Sequence, residues 1–409
     1  MIDRYHPLNS LQNGHWFKLI CGASYQHLPA VRNLTLAYTL AGADCIDVAA
    51  DPAAIAAARS ALQVSSYLGT EARTRNFGFQ GLPLLMVSLN DGEDPHFRKA
   101  EFNPAHCPTD CWRPCEKVCP AVAIVFEDSG AEFSGVLDQR CYGCGRCLPI
   151  CPSQLIFTRS YVSAPAAIAP LVLQAGADAI EIHTQIGREK DFARLWSSIS
   201  PHISQLQLIA ISCPDGEGLI DYLRTLYNIV SPLPCPLIWQ TDGRPMSGDI
   251  GAGATRAAIK LGEKVLAAKL PGYVQLAGGT NDRTVSKLKA AGLLNDVRSS
   301  HIFDLESGNT ESERESVNQI HNPKPQIPNP KTYIAGVAYG SYARVLLSPI
   351  LEQLETMQTE RVKAIPGKNI PPAATAQIPL AATLEAEPNL LWQAVSLAHS
   401  LVSQIKGIG

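Results

Sequence analysis

The chain alternates between two hydrophobic periods. Apolar runs of five to seven residues, rich in Ile, Val and Leu, stand at 17–21, 45–49, 84–89, 179–183, 206–212, 236–240, 273–277 and 333–338, and read as strands. Between most of them, apolar residues recur at three- and four-residue spacing over 27–41, 53–68, 166–175, 191–199, 218–229, 253–269 and 284–291, which predicts helices. One junction occurs twice, as Ala41-Gly-Ala-Asp-Cys-Ile-Asp-Val48 and as Ala175-Gly-Ala-Asp-Ala-Ile-Glu-Ile182. Each copy follows a helical pattern and leads into a strand, with Gly42 and Gly176 suited to the left-handed stop of a helix. Eight such βα steps predict a (β/α)8-barrel-like domain, with an open doubly wound sheet as the rival.

Three segments break the pattern. Residues 94–160 fall between the third strand and the helix before the fourth, and carry most of the cysteines. They read as an inserted module on a loop after a barrel strand, and hence over the barrel's catalytic face. Residues 306–331 are polar, then proline-rich, and 361–386 form a Pro/Ala linker. Beyond it, Leu391, Val395, Ala398, Val402 and Ile405 recur at helical spacing, predicting an amphipathic helix over 387–409 that docks on its own barrel or on a partner. The expected division is therefore 1–93 and 161–360 for the barrel, 94–160 for the module, then linker and terminal helix.

Composition narrows the class. Of 409 residues, 46% are apolar and 17% charged, which argues for a large core and against wholesale disorder. A net charge of −3 argues against nucleic acid as the main partner. The amino terminus lacks a basic start followed by an apolar run, and no window holds some 20 apolar residues, so neither a secretory signal nor a transmembrane segment is expected. A cytoplasmic protein in a reducing compartment uses clustered cysteines for metal more often than for disulfides.

Eight of the 12 cysteines lie between Cys107 and Cys151. Cys141, Cys144, Cys147 and Cys151 with Pro152 give C-x2-C-x2-C-x3-C-P, the spacing of bacterial-type ferredoxins. Three thiolates two residues apart wrap one corner of a cubane, and Gly143 and Gly145 let backbone N–H groups approach the sulfides. Structural zinc prefers two separated cysteine pairs. Cys107, Cys111, Cys115 and Cys119 with Pro120 give a stretched relative, C-x3-C-x3-C-x3-C-P. In two-cluster ferredoxins the fourth cysteine of each run ligates the other cluster. By that rule Cys107, Cys111, Cys115 and Cys151 hold cluster 1, of 4Fe-4S or 3Fe-4S type. Cys141, Cys144, Cys147 and Cys119 hold cluster 2, of 4Fe-4S type. His106 is either a further ligand or an ordinary polar neighbour. Short apolar strands at 121–126 and 133–137 would shield the clusters.

Within the barrel, Gly278-Gly279 after the seventh strand and Gly340-Ser341 after the eighth could bind an anion such as a flavin phosphate, or be plain turns with a helix cap at Asn281 or Asp282. The loop Thr241-Asp-Gly-Arg-Pro-Met-Ser-Gly-Asp249 is site-like or merely solvated. Asp47 and Glu181, at equivalent repeat positions, could work as an acid–base pair or be salt-bridged by Lys18 or another base. Cys21, Cys45, Cys213 and Cys235 read as buried packing residues.

A ferredoxin-type module on a barrel resembles the dihydroorotate and dihydropyrimidine dehydrogenases. That resemblance implies FMN held after strands 7 and 8, exchanging electrons with the clusters. The fifth strand lacks a lysine, however, and no Gly-Asn-Pro type loop is found. As a whole the chain resembles the cyanobacterial light-dependent period (LdpA) family. The likeness runs through Tyr5-His-Pro-Leu-Asn-Ser10, Gly14-His-Trp-Phe-Lys-Leu-Ile-Cys-Gly-Ala-Ser24 and both cysteine runs, then Arg244-Pro-Met-Ser-Gly-Asp249 and Gly336-Val-Ala-Tyr-Gly-Ser-Tyr-Ala-Arg344. It implies an iron–sulfur redox sensor, without substrate turnover, that adjusts the circadian clock period to light-dependent redox state. It further implies the clock input kinase and clock proteins as partners, and the eight cysteines as cluster ligands.

Overall fold

The computed structural model describes residues 7–127, 133–160, 165–243, 253–295, 332–363 and 383–407. The polar loop after residue 243, the insertion at 306–331 and most of the Pro/Ala linker lie outside the described residues. The first half of the chain runs α1 (Pro7–Gln12), β1 (Trp16–Ile20), α2 (Leu28–Leu40), β2 (Cys45–Ala49), α3 (Pro52–Thr74) and β3 (Leu84–Asn90). Next come β4 (Arg98–Glu101), α4 (Pro114–Val118), β5 (Ile124–Val125), β6 (Gly135–Val136), α5 (Cys147–Ile150) and β7 (Phe157–Ser160). The second half runs α6 (Pro165–Gln174), β8 (Ala179–His183), α7 (Glu189–Ile199), β9 (Leu208–Pro214), α8 (Leu219–Val230), β10 (Leu237–Asp242), α9 (Thr255–Ala267), β11 (Tyr273–Ala277) and α10 (Thr284–Ala290). It ends with β12 (Gly336–Tyr339), α11 (Ser341–Lys363) and α12 (Pro388–Lys406).

Strands β1, β2, β3, β8, β9, β10, β11 and β12 pair in parallel in that order, and β12 returns to β1, with Phe17 beside Val337. The fold is a closed (β/α)8 barrel, which excludes the open sheet. Alternation along each strand sorts side chains to two faces. Phe17, Leu19, Ile46, Val48, Ile180, Ile182, Ile209 and Ile211 point outward under the helices. Trp16, Cys45, Leu84, Met86, Leu208, Ile238 and Tyr273 point inward and, with Leu11 of α1, fill the bottom of the barrel. The next inward layer is polar: Lys18, Asp47, Ser88, Glu181, Ser212, Gln240 and Gln275 are all buried.

The repeated junction has a physical reason. Gly42 and Gly176 adopt φ of +99° and +91°. Two residues on, the aspartate ties the joint to a strand: Phe17 N donates to Asp44 Oδ2 at 2.7 Å, and Leu85 N donates to Asp178 Oδ2 at 3.0 Å. The terminal helix α12 docks on its own barrel, burying Leu391, Val395, Ala398, Val402 and Ile405 against α2, α11 and β1. Its Lys406 Nζ lies 2.6 Å from Asp44 and donates to Ser10 Oγ at 2.9 Å. Helices α1, α4, α5 and α11 are additions to the sequence reading; α11 starts at Ser341, where the sequence showed only a glycine turn.

Between β3 and α6 the chain leaves the barrel top. β4 pairs antiparallel with β7 and β5 with β6. Ala100, Phe102, Ala123, Ile124, Phe126 and Ile156 pack with Cys115, Cys141, Cys147 and Cys151 in a core separate from the barrel's.

Candidate functional site

All 12 cysteines are free thiols. The eight of the module sort by proximity into two groups. Cys111 and Cys151 lie near enough to Cys107 to help raise its pKa, and Cys107 and Cys151 do the same to Cys115. Cys119 acts on Cys141, Cys144 and Cys147. Each group thus takes three thiols from one run and one from the other. Burial, reinforced by neighbouring thiols, pushes Cys115 up to about 11 and Cys147 up to about 12. The four thiols of the second group line one apolar cavity with Ala100, Ala121, Ala123, Ile124 and Tyr142. Backbone donors already face its sulfurs: Ala100 N to Cys141 Sγ at 3.3 Å and Ala123 N to Cys119 Sγ at 3.2 Å. Gly143 and Gly145 take φ of +69° and +74°, which turns the loop tightly enough for such contacts. A cradle of four thiols with N–H donors and no disulfide fits an iron–sulfur cluster. His106 is exposed and lies at the end of a short 3₁₀ turn.

The module is fastened to the barrel by polar contacts. Lys99 Nζ donates to Asp138 O at 2.7 Å, to Asp138 Oδ2 at 2.9 Å and to Gln26 Oε1 at 2.9 Å. Arg140 pairs with Glu355 of α11 at 2.9 Å. Tyr142, between Cys141 and Cys144, meets the Tyr25 ring edge-on at 5.5 Å and lines both the thiol cavity and a second pocket in the barrel mouth.

The mouth is a polar network. Lys18 Nζ is paired with Glu181 and, at 3.0 Å, with Asp47, deep inside the barrel. The two repeat-equivalent carboxylates are therefore salt-bridged by Lys18. Gln240 donates to Glu181 Oε1 at 2.6 Å and accepts from Gln275 at 2.6 Å, and Trp16 Nε1 donates to Gln275 Oε1 at 2.7 Å. Burial pushes Asp47 up to about 6, despite Lys18. Glu181 suffers the same burial, but Lys18 and His183 bring it down to about 2. Above this layer, His183 Nε2 lies 2.8 Å from Glu181 Oε1. Burial alone would lower the His183 pKa; Glu181, with Asp94 and Asp242 nearby, raises it to about 9.

The mouth pocket is lined by Gly278, Gly279, Thr280, Gly340, Ser341 and Arg344 on one side. His96, His183, Gln240 and Asp242 form the other. The two glycine turns of the sequence reading thus meet in one place, and a cap exists as well: Arg283 N donates to Asn281 Oδ1 at 3.0 Å. Sequence reading passed over Asp94, His96, His183 and Arg344 as site residues. His183 carried a signal, as the polar end of a strand on the same face as Glu181. Cys21, Cys45, Cys213 and Cys235 are buried, and burial raises each thiol's pKa.

Residues 107–162 match the family model described as the LdpA Fe-S cluster-binding domain, and residues 171–404 match the Light dependent period A C-terminal domain. A curated protein, Light dependent period A of Synechococcus elongatus, is 45% identical over 400 residues, covering 98% of this chain and 94% of that one. Among solved structures, a 4-hydroxy-tetrahydrodipicolinate synthase of Methylacidiphilum fumariolicum SolV aligns at TM-score 0.31 and 8% identity, covering 96% of this chain and 99% of that one. A lysine-bound DHDPS of Cyanidioschyzon merolae aligns at TM-score 0.31 and 9% identity, covering 95% and 100%.

Proposed function

The chain belongs to the light dependent period A family and carries its iron–sulfur cluster-binding domain; from that premise we propose that it is a redox sensor with two ferredoxin-type clusters. Cys107, Cys111, Cys115 and Cys151 are the proposed ligands of the first, of 4Fe-4S or 3Fe-4S type. Cys119, Cys141, Cys144 and Cys147 are the proposed ligands of the second, of 4Fe-4S type. The observation that carries this reading is the interleaving of the eight thiols, three plus one in each group. Bound clusters supply a one-electron couple.

The protein's own residues would set the response. Thiols held neutral by burial must release protons to ligate, so loading is favoured by rising pH. Ala100 N–H and Ala123 N–H stabilise thiolate charge at Cys141 and Cys119. Tyr142 and Arg344 connect the second thiol group to the barrel top, where a change of one charge in a low-dielectric surround biases nearby contacts. In this proposal the readout is the circadian period, through the clock input kinase and clock proteins. No helix among the described residues is long and apolar enough to cross a membrane.

Anaerobic purification with iron and sulfide analysis, and EPR before and after dithionite, tests the proposal. About eight irons and two distinct reducible centres are expected. A chain without acid-labile sulfide even after reconstitution would overturn it.

A second reading has its own observation. The mouth pocket places Gly278, Gly279, Gly340 and Ser341 opposite His183, with Tyr142 between it and the thiol cavity. An FMN-dependent oxidoreductase would use that proximity for electron transfer. β9 offers no lysine, and Lys18 on β1 is engaged by Glu181 and Asp47. Stoichiometric flavin released on denaturation would decide for this reading.

A further inference from the structure

We propose that the barrel mouth holds a divalent first-row transition-metal ion, separate from the cysteine sites, on Asp94, His96 and His183. The inference does not depend on the redox-sensor reading. Asp94 and His96 sit in the turn that leaves β3, and His183 ends β8, the neighbouring strand. Each offers one donor atom, and the three donors lie within 4.8 Å of one another. Asp94 Oδ1 is 2.9 Å from His96 Nδ1 and 3.8 Å from His183 Nδ1, and the two imidazole centroids are 5.2 Å apart. Two imidazoles and a carboxylate on one side, with an open pocket on the other, is a donor set that suits such ions.

The second observation is His183 itself. It is 5% exposed, and among the described residues its Nδ1 has no hydrogen-bond partner while facing Asp94 at 3.8 Å. An orphaned polar atom this deep costs about 1–3 kcal/mol unless something meets it. Its other nitrogen, Nε2, is held by Glu181 at 2.8 Å, and Glu181 is itself anchored by Lys18 and Gln240. A carboxylate gripping the far nitrogen of a histidine is how proteins orient imidazole ligands and raise their basicity. The surrounding charge also favours a cation, since Asp47 and Glu181 share the single Lys18 below, and Asp242 lines the pocket beside the two histidines, with Arg344 on its other side. The competing arrangement is metal-free, with protons on the two histidines balancing Asp94.

The full-length chain, purified anaerobically with its iron, is equilibrated with Zn²⁺, desalted and analysed for both metals by mass spectrometry. About one zinc per chain with unchanged iron is expected. His183→Gln, which keeps a donor for Glu181, and His96→Ala should each weaken zinc binding at least about tenfold, with iron content unchanged. Should His183→Gln not fold, His96→Ala decides alone, because His96 lies on a turn at the module's edge. No retained zinc, zinc gained only as iron leaves, or equal zinc in wild type and both variants overturns the site and leaves the protonated pair.

Discussion

The guanidinium carbon of Arg344 lies 4.0 Å from the ring centroid of Tyr142. Arg344 belongs to α11, whereas Tyr142 stands between two cysteines of the module, so this stacked pair joins the barrel directly to the cysteine loop. The same guanidinium donates to Ile20 O at 2.8 Å, to Cys21 O at 3.1 Å and to Ser341 Oγ at 3.0 Å. Its position is thus fixed by the ends of β1 and β12.

A fixed cation near the second thiol group favours the reduced, more negative state of whatever those thiols ligate. Arg344→Gln is expected to lower the reduction potential of that centre by on the order of tens of millivolts, and to leave the other nearly unchanged. An EPR-monitored redox titration measures both. Equal shifts in the two centres would show that the effect is not local.

The interleaved thiol groups predict crossed phenotypes. Cys119→Ser should abolish the same spectroscopic centre as Cys144→Ser, although Cys119 belongs to the other run. Cys151→Ser should abolish the centre lost in Cys111→Ser. If each variant instead removed the centre of its own run, the ligand sets would be sequential.

Asp47 gives a pH dependence with a definite sign. Burial raises its carboxyl from 3.8 to about 6, Glu181 adding to the effect and Lys18 opposing it. A pKa raised in the folded state means stability that is fully present below about 3.8 and lost as pH rises through about 6. Asp47→Asn removes that loss. The melting temperature of wild type relative to Asp47→Asn should therefore fall across this window, measured by circular dichroism under nitrogen. A constant difference would mean that Asp47 ionises normally.

Gly42 and Gly176 occupy equivalent junctions but should not tolerate alanine equally. A Cβ at Gly42 would sit 2.3 Å from the Gly78 carbonyl oxygen, which is backbone; at Gly176 it would meet the Arg59 guanidinium, the end of a flexible side chain. Both carry the left-handed penalty of roughly 1–2 kcal/mol. Gly42→Ala should cost more than that, and Gly176→Ala little beyond it. Thermal midpoints of the two variants, compared with wild type, check the order.

What could be read from sequence follows how local each signal is. The eight barrel strands were legible because each alternates between an apolar outer face and a mixed inner one, and the cysteine runs because their ligands lie a few residues apart. The Lys18–Glu181–Asp47 arrangement was half legible: the repeat showed the carboxylates as equivalent, but Lys18 on β1 meets Glu181 on β8 only across the interior of the closed barrel. The Asp94–His96–His183 cluster was not, since His183 joins the other two only through the pairing of β3 with β8. Arg344 was visible only as part of a resemblance, because its value lies in contacts to Tyr142, Ile20 and Cys21 from distant segments. Helix α11 was missed because its apolar stripe is weak and Pro349 interrupts it.

The seam between β1 and β12 sets an order of assembly. Trp16 pairs with Gly336, about 320 residues later in the chain, and Lys406 completes the joint by reaching back to Ser10 and Asp44. Synthesis runs from the amino terminus, and contacts between distant segments form late. The module's outer strands, β4 and β7, are only about 60 residues apart and have their own core. The contacts that gather the cysteines therefore span a segment of the chain that is made before β8 to β12. The stack of Arg344 on Tyr142 joins that segment to one made about 200 residues later, so it requires both the module and the end of the barrel.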